Sequence, residues 1–323
     1  MTMDFTCSFP PGPHSIEWAQ RAEELGYRRV YLHDSPALYW DVWVTLARVA
    51  DHTESIGLGA LVIPHLRHVL ATASAIATIE HIAPGRLAVV VGTGFTARAM
   101  LGQRPLPWSR VDQYIGALRA LLQGDAVEVD GRMIAMRHPV GWAPDRPIDV
   151  PIIVAANGPK GLEVAHASGD GVYAFVPVDG FSWSIVGSAG TVLAPGEDVT
   201  SARAFDALGP AIALNYHYTY EMAGEAVDTL PGGSEWRAGV EAINADVRHL
   251  HVHDGHGVAP NARELPSLDP SLAQFSTSGT EDELREKFAG FEAGGATEFA
   301  YAPMGSDVPG ELAAMARAAG LTS

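Results

Sequence analysis

Side chains able to move a proton or hold an anion recur where apolar runs stop. Asp34 and Ser35 follow the run at residues 29–32. His65, Arg67 and His68 follow residues 56–63, and Gly92-Thr93-Gly94 follows residues 87–91. Asn157-Gly158-Pro159-Lys160 follows residues 151–156, a short β-branched run bounded by prolines. Carboxylates and imidazoles at such ends suit general acid–base work. The last group reads differently. A buried strand that stops in an Asn-Gly-Pro turn at the start of a helical pattern leaves backbone N–H groups and a helix dipole facing outward. That suits an anion, most often a phosphate. Asp34 and Ser35 also fit a turn, and His68 fits a helix cap.

The densest polar cluster is His249, His251, His253 and His256, with Asp254 among them. Alternate spacing brings imidazoles to one side only in a strand, and the preceding stretch reads as helical. A solvated or pH-sensitive surface segment is therefore expected, with no metal. Cys7 is the only cysteine, which excludes an intrachain disulfide and fits a small core residue on the first strand.

Composition narrows the partners. With 21 basic and 38 acidic residues the formal charge is −17, and no basic cluster stands out. Nucleic acid and anionic membranes are not expected as partners. No apolar run approaches the ~18 residues of a membrane span, and the first residues lack a charged-then-apolar signal pattern. A cytoplasmic protein acting on a small molecule, and pairing as a homodimer, is the expectation.

Elements that would position these groups recur as strand then helix. Strands are expected at residues 5–9, 29–32, 56–63, 87–91, 151–156, 170–176, 211–216 and 297–302. Helices are expected near 15–25, 41–50, 69–82, 108–122, 162–168, 236–247 and 309–319, with a Thr280/Glu283 capping box before another. Residues 128–133 read as a hairpin with an Asp-Gly turn. Eight such units make a (β/α)8 TIM barrel, one domain over residues 1–323, with insertions at about 125–150 and 217–275 at its mouth. An open doubly wound sheet is the alternative, but Gly92-Thr93-Gly94 is not continued into the Gly-x-Gly-x-x-Gly fingerprint.

Four stretches carry a resemblance. They are Tyr31-Leu32-His33-Asp34; Gly57-Leu58-Gly59 through Pro64 with Arg67-His68; Gly85-Arg86-Leu87 through Gly92-Thr93-Gly94; and residues 151–160 with Gly169-Asp170-Gly171-Val172. In this order the chain resembles the luciferase-like flavin and deazaflavin oxidoreductases, especially the coenzyme F420-dependent reductases of the methylenetetrahydromethanopterin reductase type. The resemblance implies a barrel whose mouth holds the flavin-like ring. Asp34 would sit near the ring, and Leu61 and Val62 would bulge behind it, commonly at a non-prolyl cis peptide. A regular trans strand there would favour flavin mononucleotide. Gly92, Thr93 and Gly94 would flank the cofactor side chain, and Asn157, Gly158, Pro159 and Lys160 would hold its phosphate.

Two departures bear on the reaction. Sugar-phosphate-oxidising members place His directly after the strand-two Asp and Glu after Gly-Thr-Gly; here these are Ser35 and Phe95. If Asp34 faces the mouth, alternation turns His33 away. Reduction of an activated C=C, C=N or C=O bond is then expected, with Ser35 or a water on Asp34 as the proton route and Trp40 and Tyr216 as substrate walls. Two other readings stand beside it: a monooxygenase using reduced flavin mononucleotide, and a non-redox phosphate-binding barrel. A Schiff-base aldolase version of the last would need a strand-end lysine. The two lysines, Lys160 and Lys287, lie in the anion loop and on an expected helix.

Overall fold

The computed structural model describes residues 3–321. Eight parallel strands close into a barrel in the order β1-β10-β9-β8-β7-β4-β3-β2. They are β1 (Asp4–Phe9), β2 (Arg29–His33), β3 (Gly57–Val62), β4 (Leu87–Val91), β7 (Ile152–Ala155), β8 (Gly171–Ala174), β9 (Ser184–Ala189) and β10 (Glu298–Ala302). The strands β5 (Val127–Val129) and β6 (Arg132–Ile134) form the separate hairpin, turning at Asp130 and Gly131, both at positive φ. The expected (β/α)8 class is what forms, because each apolar run is too short for a helix and the linkers, apart from the one between β8 and β9, carry a helical period.

The helices are α1 (Ser15–Glu24), α2 (Val42–His52), α3 (Val69–Ile82), α4 (Phe95–Ala99), α5 (Trp108–Gln123), α6 (Pro159–Ser168), α7 (Ala202–Ala223), α8 (Gly233–Glu241), α9 (Arg248–His251), α10 (Glu281–Ala293) and α11 (Val308–Ala319). The capping box of α10 is present on both sides, between Thr280 and Glu283. Strand residues alternate between two cores. Val30, Leu32, Leu58, Ala60, Val89 and Val91 pack outward on the helix layer, with Cys7 fully buried among them. Tyr31, Ala88, Val90, Ile153, Ile185 and Ala300 fill the barrel lumen. Tyr31 fits only because Gly59 faces it: a Cβ there would sit 2.1 Å from the Tyr31 ring.

Two sequence expectations fail. Residues 211–216 are the middle of helix α7, and the seventh barrel strand is Ser184–Ala189. The apolar run there serves a helix face, since Leu208, Ile212, Ala213 and Tyr216 bury together. The hairpin region at 125–150 joins α5 to the start of β7, so it lies at the end of the barrel opposite the mouth. Residues 190–280, which include the 217–275 segment, join the carboxyl end of β9 to α10. This insertion has its own core, formed by Leu208, Ile212, Tyr216, Trp236, Val240 and Leu272 among others.

Candidate active site

Phase along β2 decides what faces the mouth. Tyr31 points into the lumen, so His33, two residues on, shares its side, while Asp34 turns toward the helix layer. This reverses the sequence expectation. The phase is hidden in the sequence because both faces of a barrel strand are buried and show no polarity contrast. His33 pairs in register with Leu61, which borders the same lumen. Burial pushes the His33 imidazole down to about 4, so the ring is neutral at pH 7.

Asp34 is instead an anchor. Nη1 of Arg67 donates to both of its oxygens, at 2.8 and 2.6 Å, and Nη2 donates to Oδ2 of Asp41 at 2.6 Å. The other oxygen of Asp41 accepts from the Trp43 and Val44 N–H groups and caps α2. One guanidinium thus ties the loop after β2 to the loop after β3. Burial raises the Asp34 carboxyl against the pull of Arg67. A proton route through water on this carboxylate loses support, because Arg67 takes both oxygens and the side chain is 2% exposed. Ser35 is buried beside it, its carbonyl accepting from the Leu38 and Tyr39 N–H groups in a turn. His68 caps α3 by accepting from the Leu70 N–H, and His65 is exposed at positive φ.

Leu61 and Val62 lie in a regular strand, paired in register with Val90 and Val91. The one cis peptide among the described residues is Arg146–Pro147, so the expected bulge is not formed. Gly92 and Gly94 differ in kind. Gly94 has φ +79°, and a Cβ on it would meet Ile63 at 2.2 Å; a Cβ on Gly92 would meet only Ala155 at 3.4 Å. Gly94→Ala should therefore displace the Thr93 loop and destabilise the chain by about 1–3 kcal/mol. Gly92→Ala should stay within about 0.5 kcal/mol. Thermal unfolding of the two variants checks this, and equal melting temperatures would refute it.

The Asn157–Lys160 segment ends β7 and begins α6, with Pro159 in the first helical turn. Oδ1 of Asn157 accepts from the Phe175 N–H at 2.8 Å, which orients its amide. Nothing lies within 4 Å of where a Gly158 side chain would project, so the approach to this helix start is open. Lys160 is exposed beside it. A bound phosphate group fits there by charge and by space.

The insertion closes over the strand ends through contacts the sequence did not signal. The Tyr39 hydroxyl donates to the His256 carbonyl at 2.6 Å, and the Phe95 and Tyr218 rings lie 5.0 Å apart. Trp40 stands half-exposed on the loop after β2. Tyr216 is not a pocket wall: it is fully buried in the insertion core, and its hydroxyl donates toward the Pro231 and Ser267 carbonyls. His253 and His256 also depart from expectation, since they turn inward to meet His217 while His251 stays exposed. Periodicity could not show this, because the partner lies 36 residues upstream of His253 on another element.

The fold is a (β/α)8 barrel with polar groups at its strand ends, and sequence comparison makes the class specific. The luciferase-like monooxygenase family model matches residues 10–190, and the chain belongs to that family. The matched span contains Asp34, Thr93 and the Asn157–Lys160 loop. The 5,10-methylenetetrahydromethanopterin reductase of Methanolobus tindarius is 34% identical over 183 residues, 53% of each chain. The F420-dependent glucose-6-phosphate dehydrogenase of Beutenbergia cavernae is 34% identical over 173 residues, 46% of this chain and 48% of that one. The chain thus matches about half the length of these relatives. The coenzyme F420-dependent tetrahydromethanopterin reductase of Methanopyrus kandleri superposes with a TM-score of 0.69 at 18% identity, covering 98% of both chains. Among the described residues no helix is long and apolar enough to cross a membrane.

Proposed function

We propose that the protein transfers a hydride between coenzyme F420 and a small organic substrate, in the direction that reduces an activated C=C, C=N or C=O bond. The observation that carries this reading is the coincidence of site and similarity. The family match spans the strand ends β2, β3, β4 and β7, and relatives whose names state F420 dependence align with the chain at 29–34% identity. The residues present fit such a cofactor: an open helix start with Lys160 for its phosphate, and a loop at Gly94 with no room for a side chain. Bound there, the deazaflavin supplies or accepts a hydride, which the side chains of the barrel cannot do.

The protein's own part is orientation and polarisation of the substrate. His33 stands at the lumen end of β2 as a neutral imidazole and can donate a hydrogen bond to a substrate heteroatom, while the proton that completes the reduction comes from solvent. A base whose conjugate acid titrates near pH 4 is a weak acceptor at neutral pH, which disfavours drawing a proton from an alcohol. Phe95, packed on Tyr218, offers no carboxylate to assist such an abstraction. A homodimer in the cytoplasm remains part of this reading.

Titration with oxidised coenzyme F420 and with flavin mononucleotide tests the assignment. F420 should bind at least tenfold (~1.4 kcal/mol) more tightly. Gly158→Asp, which puts a carboxylate at the open helix start, should weaken F420 by a further tenfold or more while leaving the circular dichroism unchanged. Tighter binding of flavin mononucleotide would support a luciferase-like monooxygenase instead, a reading that the regular trans strand at Leu61–Val62 favours. Failure to bind either would point to a non-redox, phosphate-binding barrel.

A further inference from the structure

His217 of α7 and His253 and His256 of the loop after α9 converge at the edge of the barrel mouth. Nδ1 of His256 lies 3.0 Å from Nδ1 of His217 and 2.9 Å from Nδ1 of His253. One nitrogen from each of the three rings falls within 4.8 Å of the others. His217 and His253 are 1% and 0% exposed. The far side of each ring is fixed. Nε2 of His217 meets Oε2 of Glu264 at 2.9 Å, and Nε2 of His253 meets Oε1 of Glu221 at 2.6 Å. Nε2 of His256 lies 3.2 Å from the Thr96 hydroxyl, two residues past Gly94.

This pattern sets the tautomers. An ionised carboxylate only accepts, so Nε2 of His217 and of His253 must carry the hydrogen. In a neutral ring the Nδ1 atom is then a bare lone pair, aimed at His256. Without a cation, one hydrogen on Nδ1 of His256 must serve both lone pairs. A cation would take its place: the hydrogen of His256 moves to Nε2, which then donates to the Thr96 hydroxyl, and three lone pairs meet one metal.

We propose that His217, His253 and His256 bind a divalent cation of the zinc class through their Nδ1 atoms. Zinc–nitrogen bonds of about 2.0–2.1 Å set tetrahedral ligand nitrogens about 3.3 Å apart, a few tenths of an ångström from the two shorter spacings here. A carboxylate behind a ligand imidazole is the usual means of orienting it and raising its basicity. Three protein nitrogens leave a fourth position, and His256 is partly open to solvent, so water or a substrate oxygen can enter. The site would fasten α7 to the loop at residues 251–256 and to the turn after β4, beside the lumen, since His256 lies within electrostatic reach of His33. It does not depend on which cofactor the barrel takes.

The test uses the full chain, stripped with chelator and then loaded with zinc or cobalt chloride. One metal per chain should survive gel filtration, and cobalt should give the intense visible absorption of a four-coordinate nitrogen site. Zinc, unlike magnesium, should raise the melting temperature of the wild-type chain, an observation that needs no variant. His253→Ala and His256→Ala should each weaken binding at least a hundredfold, and His249→Ala with His251→Ala should leave it unchanged. A wild-type chain that retains no stoichiometric cobalt or zinc and gains no thermal stability would overturn the site. So would equal binding by a folded His253→Ala variant, or loss of binding only in the His249/His251 pair.

Discussion

Glu298→Ala is expected to destabilise the protein by about 3–5 kcal/mol, the range for removing one partner of a buried ion pair. Glu298 opens β10 at the floor of the barrel and pairs in register with Asp4 and Ile185. Its Oε1 accepts from the Thr6 and Tyr31 hydroxyls, each at 2.8 Å, and its Oε2 accepts from the Trp183 indole at 2.8 Å. The Arg29 guanidinium lies 4.0 Å away and packs over the Tyr31 and Trp183 rings. Three strands and the residue that precedes β9 therefore converge on one carboxylate. Burial raises its pKa above the usual carboxylate value, and Arg29 with the three donors opposes that shift. Alanine would strand three donors and leave the buried Arg29, whose Nε already lacks a partner, without its carboxylate. Urea unfolding measures the loss. Pairing Glu298→Ala with Arg29→Met should recover part of it, because the uncompensated charge goes too. A Glu298→Ala variant within about 0.5 kcal/mol of wild type would remove this carboxylate from the account of barrel closure.

His33→Ala should lower kcat by about 10²–10³-fold, the usual loss when one positioned hydrogen-bond donor is removed, with cofactor affinity little changed. The expectation rests on the hydride-transfer reading and on the lumen-facing phase of β2. His33→Gln retains a hydrogen-bond donor of different reach, and should fall between the two. The pH profile gives an independent check. A ring that titrates near 4 stays neutral throughout the range where an ordinary histidine changes charge. Wild-type turnover should therefore show no acid limb from this group between about pH 5 and 7. Turnover of His33→Ala within twofold of wild type would place the polarising donor elsewhere, with Ser35 the next residue to replace.

The sequence alone settled the elements and their order wherever a short-range signal exists. The helix Val69–Ile82 and the strand Leu87–Val91 are legible to the residue, since Pro64 and the Pro84-Gly85 pair punctuate clear apolar periods. The Thr280/Glu283 cap and the Asp130-Gly131 turn are equally local. Motif spacing was enough for the family, because glycine turns at strand ends fix where a backbone can approach a ligand. Only the tertiary structure decided which way side chains face. In a barrel both strand surfaces are buried, so His33 and Asp34 could exchange roles on paper. Their positions follow from Tyr31 filling the lumen against Gly59 and from Arg67 reaching across from the next loop. The same holds for the run at residues 211–216, which reads as a strand until Leu208, Ile212 and Tyr216 find a common core on helix α7. The histidines are the clearest instance. His253 and His256 look like a solvated tract because charge and spacing along a chain carry no record of His217, Glu221 and Glu264, which only folding of the insertion brings around them.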